Sequence, residues 1–262
     1  MNELKINNFP TLDFPAQEAI NTLCTNLSFV DEDTRRIMIT SCQASEGKSF
    51  LSMNTMRSLA QLGKKVMLVD ADLRRSYITA QYDLLFSTQK PVGLAHYLAG
   101  MCSINEILYS TDIDGACMVP IGHTVSNALP LLNARKFSFL LEKLTAHFDF
   151  VLVDAPPIGV VIDAAEIAKS CDGTLLAISY NRISQRELVD AKQQLEKTGC
   201  KILGAVLNKV EMDSYVNRKY YQKSYYSPYN TVYVSSKDRD TTESDNFNNN
   251  IYQDDIWKKR KR

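Results

Sequence analysis

From about Arg36 to Val210, short apolar runs alternate with stretches whose apolar residues recur at helical spacing. The strand candidates are RIMITS (36–41), KVMLVD (65–70), FDFVLVD (148–154), GTLLAIS (173–179) and KILGAVL (201–207). Each is nearly unbroken rather than alternating, which is the pattern of a strand covered on both faces in a parallel sheet. Phe50, Met53, Met56, Leu59, Ala60 and Leu62 form a helical stripe between the first two, and Gly63 stands where a helix commonly ends. Phe137, Leu140, Leu141 and Leu144 make a second stripe. A third begins at Ser184 and carries Leu188, Ala191 and Leu195. Strands separated by helices need right-handed crossovers, so the predicted fold is α/β, a doubly wound and mostly parallel sheet flanked by helices over 36–210. Residues 1–35 are predicted as a helical segment. After about Glu211 large aliphatics almost vanish while Tyr, Ser, Asn, Asp and Lys dominate. Residues 211–262 are therefore predicted to be a flexible, disordered C-terminal tail with too little apolar area to order itself.

Composition narrows the function classes. The 262 residues are 45% hydrophobic, enough for one core. Lysine plus arginine (30) balances aspartate plus glutamate (30), so no overall field recruits nucleic acid or a membrane surface. Six cysteines lie scattered, without a CxxC pair or neighbouring histidines, which predicts reduced thiols in a cytoplasm rather than zinc or disulfides. The N-terminal MNELKINNFPTLDFP has no basic stretch followed by an apolar block, and Asp154, Pro156, Pro157, Asp163 and Glu166 interrupt the longest apolar stretch. Neither a signal peptide nor a membrane span is expected, so any membrane association must come through a partner. His96, His123 and His147 are isolated and receive no role. The terminal basic run Lys258 to Arg262 reads as a solvated end, because five charges alone anchor weakly to lipid.

The first strand runs into Thr40-Ser41-Cys42-Gln43-Ala44-Ser45-Glu46-Gly47-Lys48-Ser49, and a helix follows. A strand, tight turn and helix start with Gly-Lys-Ser at the junction are the parts of a nucleotide phosphate site: free amides at a helix N-terminus face the anion. Gly47 permits close backbone approach, Lys48 brings a cation to the β and γ phosphates, and the Ser49 hydroxyl can ligate Mg²⁺. Ser45 through Phe50 are thus the candidate nucleotide contacts. The full GxxxxGK[ST] pattern is not met, since Cys42 holds the first glycine position. Alone, Gly-Lys-Ser could be a helix cap followed by a surface lysine; the context makes it more.

That context is a set of carboxylates. The second strand ends in Asp70-Ala71-Asp72-Leu73-Arg74-Arg75 and the third in Asp154-Ala155-Pro156-Pro157. In open α/β sheets ligands sit beyond the carboxyl ends of the strands. Asp154 fits a Walker B carboxylate that holds Mg²⁺, with Ser49 and Asp72 as further metal candidates. Asp70 and Asp72, two apart in extended chain, share a face, so one could serve the metal while the other takes a proton from an attacking hydroxyl. Strand-end aspartates often do no more than cap the next helix. Three of them in a chain with Gly-Lys-Ser point to a magnesium-bound nucleotide.

At these residues the chain resembles the bacterial tyrosine kinases (BY-kinases) of capsular and exopolysaccharide synthesis. The resemblance runs from about Glu18 to Tyr233 and includes Glu46-Gly47-Lys48-Ser49, Asp154-Ala155-Pro156-Pro157, Asp163-Ala164, Asp172-Gly173 and Gly204 to Asn208. The Asp-x-Asp-x-Arg of Asp70, Asp72 and Arg74 is its most specific motif, the family's Walker A′. It implies autophosphorylation in trans of a C-terminal tyrosine cluster, self-association, a cognate tyrosine phosphatase and a transmembrane modulator of the polysaccharide co-polymerase type. That modulator would hold a cytoplasmic kinase at the inner face of the membrane. In this reading Lys48 stabilises phosphate, Ser49 and Asp154 organise Mg²⁺, Asp70 or Asp72 activates the tyrosine hydroxyl, and Asn208 lies near the adenine. The family's Pro-Gly before Glu-Gly-Lys is here Ala44-Ser45, which should stiffen the loop. Two arginines of its N-terminal oligomer motif are here Asn21 and Cys24, and its proline-rich stretch is reduced to Val125-Ser126-Asn127-Ala128.

Tyr220, Tyr221, Tyr225, Tyr226, Tyr229 and Tyr233 fall within fourteen residues that hold few aliphatics. The plain reading is a sticky docking peptide. The sharper one is a substrate: fifteen extended residues reach about 50 Å, enough for a neighbouring subunit. Each phosphate would add about −1.5 to −2 charges, so a modified cluster would repel its fellows. Two rivals remain at this point. A partitioning-type P-loop ATPase shares the fold but carries a signature lysine five positions before the Walker lysine, where this chain has Gln43. A non-catalytic nucleotide-binding scaffold would follow if Ala44-Ser45 marked a degraded pocket.

Overall fold

The computed structural model describes residues 2–133 and 135–210. In chain order the elements are β1 (Asn2–Ile6), α1 (Phe14–Ser28), β2 (Arg36–Ser41), α2 (Lys48–Gln61), β3 (Val66–Asp70), α3 (Ile78–Gln81), β4 (Leu84–Phe86), α4 (Leu94–Leu98) and α5 (Ile104–Ile107). They continue with β5 (Tyr109–Ser110), β6 (Ala116–Val119), α6 (Leu129–Leu132), α7 (Arg135–Thr145), β7 (Phe150–Asp154), α8 (Asp163–Ala168), β8 (Gly173–Ser179), α9 (Gln185–Glu196) and β9 (Lys201–Asn208).

The strands join one sheet in the order β4-β1-β5-β6-β3-β7-β2-β8-β9. The five unbroken apolar runs are β2, β3, β7, β8 and β9, and every pairing among them is parallel. Among the described strands only β1 with β4 and β5 with β6 pair antiparallel. The predicted class, a mostly parallel α/β sheet with helices on both faces, is what the chain adopts. Alternate side chains of one strand serve the two faces. Ile37, Ile39, Val66, Leu68 and Leu152 pack with α1 and α2. Their neighbours Met38, Met67, Val69, Val151 and Val153 pack on the other face with α7, α8 and α9. This two-sided burial is why the sequence shows continuous runs there.

The three helical stripes are α2, α7 and α9. Gly63 takes φ 78° just past α2, a left-handed position that glycine holds at no steric cost. Ser184 caps α9 by accepting from the Glu187 amide, while Glu187 accepts from the Ser184 amide at 2.8 Å. The N-terminal segment differs from its expectation in one respect. The helix is there as α1, but Asn2–Ile6 ahead of it is a strand between β4 and β5. Cys24, where the related family carries an arginine, is fully buried on α1 with its thiol 3.8 Å from the Thr55 carbonyl of α2. Asn21 accepts from Gln17 and donates to Glu18 on its own helix. No helix among the described residues is long and apolar enough to cross a membrane. The predicted tail 211–262, with its tyrosine cluster, lies outside the described residues.

Candidate active site

Strands β3, β7 and β2 are neighbours, and all three end at the same edge of the sheet. In register Asp70 stands beside Asp154, and Asp154 beside Ile39, so two carboxylates and the turn after β2 meet there. The apolar runs end at this edge because their final residues carry the chemistry.

The turn between β2 and α2 is tied at several points. The Gln43 amide donates to Glu46 Oε2 at 2.6 Å, and the Ser179 amide at the end of β8 donates to Glu46 Oε1 at 3.1 Å. Asn208 Nδ2 donates to the Glu46 carbonyl at 2.9 Å. Gly47 has φ 92°, and a Cβ there would fall 1.9 Å from Asn208 Nδ2. Only glycine fits, for a conformational and a steric reason at once. Ser45, standing where the related family has glycine, also adopts a left-handed backbone, φ 64°. The turn delivers Lys48 and Ser49 to the first turn of α2, where unpaired amides face outward.

Behind them lies an acidic pocket. Lys48 Nζ is 2.9 Å from Asp72 Oδ2 and 3.7 Å from Asp154 Oδ2. Ser49 donates to Asp154 Oδ2 at 2.7 Å. The Ser52 hydroxyl lies 2.8 Å from Asp154 Oδ1 and 2.9 Å from the Lys48 carbonyl, and its single proton can serve one of them at a time. Asp70 is buried under Ser76, whose hydroxyl donates to Oδ2, while Oδ1 is buried without a hydrogen-bond partner. Burial disfavours the charged form of Asp70 and the Asp154 charge adds to it. Together they outweigh Ser76 and Lys48 and push this carboxyl well above its ordinary range. Burial also raises Asp154, although Lys48, Ser49 and Ser52 oppose it. Burial would lower Lys48, but the charges of Asp154 and Asp72 prevail, so it holds its proton more firmly than a free lysine.

A cleft of about 820 Å³ opens over this pocket. Ser45, Gly47, Lys48, Ser49, Phe50, Asp72 and Asn208 are among the residues that line it. Three expected residues do not line it. Glu46 does not line the cleft; its carboxylate is buried, turned back to Gln43 and Ser179. Asp70 does not line it either, and Asp154 meets it through Ser49 and Lys48. The structure therefore separates the two Walker A′ aspartates, which spacing alone leaves equivalent: Asp72 is at the cleft and Asp70 behind it.

Several participants escape sequence reasoning. Ser52 was findable, being one helical turn beyond Lys48 on the same face. Ser76, Lys209 and the Ser179 amide carry no local signal. Arg74 forks onto the fully buried Asp163, with Nη2 to Oδ1 at 3.1 Å, and reaches the Ser126 carbonyl at 2.8 Å, tying the Walker A′ turn to α8. Gln43, at the position where partitioning ATPases carry a lysine, donates to Glu187 on α9 at 3.1 Å.

Among the described residues no group of three or more His, Cys, Asp or Glu is arranged as a protein-only metal cage. A hydroxyl beside carboxylates is nevertheless a fitting partial donor set for Mg²⁺, which takes one or two carboxylates and completes its octahedron with water and substrate phosphate. The orphaned Asp70 Oδ1 marks the same pocket as short of positive charge.

A family model described as "AAA domain" matches residues 34–200. Tyrosine-protein kinase CpsD of Streptococcus pneumoniae is 36% identical over 197 residues, covering 75% of this chain and 86% of that protein. The kinase domain of Escherichia coli tyrosine kinase ETK superposes with a TM-score of 0.72 at 32% identity, covering 79% of this chain and 83% of that one. The Pyrococcus furiosus cell division ATPase MinD gives 0.58 at 27% identity, covering 69% and 74%.

Proposed function

The chain belongs to the bacterial tyrosine-protein kinases, and from that premise we propose that its cleft binds Mg-ATP and passes the terminal phosphoryl group to tyrosine hydroxyls, those of its own C-terminal cluster included. The observation that carries this reading is Lys48 held between Asp72 and Asp154 at the mouth of an 820 Å³ cleft whose near wall is a helix N-terminus. In this arrangement Lys48 swings from Asp72 to the β and γ phosphates, to which its firmly held proton suits it. Ser49 and Asp154 would hold Mg²⁺, which would neutralise phosphate charge. Gly47 lets the backbone approach the phosphates, and Phe50 and Asn208 border the nucleotide. The phenol oxygen forms the new bond to the terminal phosphorus as the bond to the leaving diphosphate breaks, and a carboxylate takes the phenol proton. That Asp72 lines the cleft while Asp70 lies behind Ser76 favours Asp72 as the carboxylate that takes this proton.

The acceptors are Tyr220, Tyr221, Tyr225, Tyr226, Tyr229 and Tyr233. A transmembrane modulator of the polysaccharide co-polymerase type would recruit the kinase to the inner membrane face, and a tyrosine phosphatase would reset it. Its output is control of capsular or exopolysaccharide synthesis. Several considerations favour this over the rivals: the relatives are named kinases, Gln43 faces α9 rather than acting as a partitioning lysine, and the acidic pocket is intact.

Intact mass spectrometry of the full chain with ATP, Mg²⁺ and the modulator's cytoplasmic peptide tests it. A ladder of added phosphates, absent from Lys48→Met, is expected. A single unmodified mass in the unaltered protein would overturn the reading, as would the same ladder in Lys48→Met.

A further inference from the structure

Four of the described non-glycine residues have a left-handed backbone, and two of them, Ser45 with φ 64° and Lys209 with φ 57°, meet across the nucleotide turn. Lys209 Nζ donates to the Ser45 carbonyl at 2.6 Å although the two residues are 164 apart in sequence. The Lys209 backbone is set by its neighbour, because its amide donates to Asn208 Oδ1 at 2.8 Å while Asn208 Nδ2 holds the Glu46 carbonyl. The end of β9 thus grips two consecutive carbonyls of the turn, Ser45 and Glu46. A serine at φ 64° resists that conformation, whereas glycine adopts it freely. A charge-assisted bond from an ammonium to the same residue's carbonyl is the kind of contact that can hold it there.

We propose that Lys209 is a positioning residue that clamps the Ser45 peptide and thereby keeps the nucleotide turn in its phosphate-receiving shape, a task made necessary by serine at position 45. The inference rests on the cleft being a nucleotide site but assigns Lys209 a role through the turn, not through the ligand. Asn208 has the same character. Both ends of its amide are engaged by Glu46 and Lys209, so it staples the turn over Gly47 as well as bordering the cleft.

The test is a double-substitution cycle on the full chain. Lys209→Met is expected to raise KM for ATP about tenfold, as loss of one charge-assisted bond would, with kcat little changed because no reacting group is touched. Lys209→Arg should restore most of the affinity. In a Ser45→Gly background, whatever its own KM, adding Lys209→Met should change KM by less than about twofold, because glycine holds the turn without help. A tenfold rise that persists in the glycine background would mean that the lysine touches the nucleotide directly, and would overturn the clamp. So would an unchanged KM in Lys209→Met alone. Hydrogen exchange of residues 43–49 without nucleotide separates the clamp from the reading of the cleft. Faster exchange in Lys209→Met, but not in Lys209→Arg, is expected even if the protein proved to bind no ATP, and equal exchange in all three proteins would sink it.

Discussion

Strand β2 joins two ionic clusters at its opposite ends, and they are built on opposite plans. At its start Arg36 meets Asp172 one to one. Asp172 accepts from the Arg36 guanidinium Nε at 3.1 Å and from the amides of Arg35 and Arg36 at 3.1 and 2.8 Å. Burial alone would raise this carboxyl, but those donors hold it below its ordinary range. Beyond the other end, one ammonium faces Asp70, Asp72 and Asp154, an amide-poor pocket in which Asp70 and Asp154 are raised. The lower cluster is complete in the protein itself and fastens strand ends. The upper one is short of positive charge and donors, which is the condition of a site that awaits a ligand. Direction of the carboxyl shift, rather than the presence of an ion pair, tells the two apart.

The largest expected break comes from neutralising the upper cluster. Asp70→Asn with Asp72→Asn should reduce phosphotransfer by about a thousandfold or more while leaving the fold intact. Phosphotyrosine content beside a far-ultraviolet dichroism spectrum checks both halves, and retained activity would remove these residues from the mechanism. Asp172→Ala should do the reverse. It strips the acceptor from two backbone amides and a guanidinium, costing about 2 kcal/mol in a denaturant titration, with kcat unchanged.

The pH dependence sharpens the contrast further. Asp70 has a folded value above its unfolded one, so its contribution to stability is present at acid pH and is lost as pH rises. Asp70→Asn should therefore gain in melting temperature relative to the unaltered protein as pH rises above the ordinary carboxylate range. Asp172 is depressed, so its contribution is present above the unfolded value and disappears as pH falls through the folded one. The deficit of Asp172→Asn should be full at pH 7 and shrink as pH falls through the depressed folded value. Melting curves recorded as a function of pH would contradict the assignment if the two variants moved in the same direction. The smallest effect concerns the turn that carries the upper cluster. Ser45→Gly should relieve the left-handed serine by about 1 kcal/mol and lose roughly half of that to the greater freedom of unfolded glycine. A rise of about 1–2 °C in melting temperature would show it.

Legibility followed the physics of burial. The five central strands could be read because both their faces are covered, leaving unbroken apolar runs, and α2, α7 and α9 because each buries a stripe. Strands β1, β4, β5 and β6 could not. Asn2–Ile6 has only two apolar residues in five and Tyr109–Ser110 is two residues long; both are too short to stand out from their surroundings. Within the site, Lys48, Ser49 and Asp154 were legible because their chemistry depends on position within a local motif. For Glu46 the motif marked the loop but not the side chain's direction. Proximity in the chain put it at the phosphates, whereas its carboxylate serves an amide 133 residues away.

By itself, then, the amino-acid order determined which strands are central, where the turn that receives phosphate begins, and which acids end those strands, since each is a consequence of local spacing and two-sided burial. Only the folded chain decided that Asp72 lines the cleft while Asp70 hides behind Ser76, that Asp154 is shared by two serines of α2, and that Lys209 reaches back to Ser45. Those facts arise from strand order and register, which bring together residues separated by up to 164 positions, and contacts at such distance leave no mark on the pattern of either segment alone.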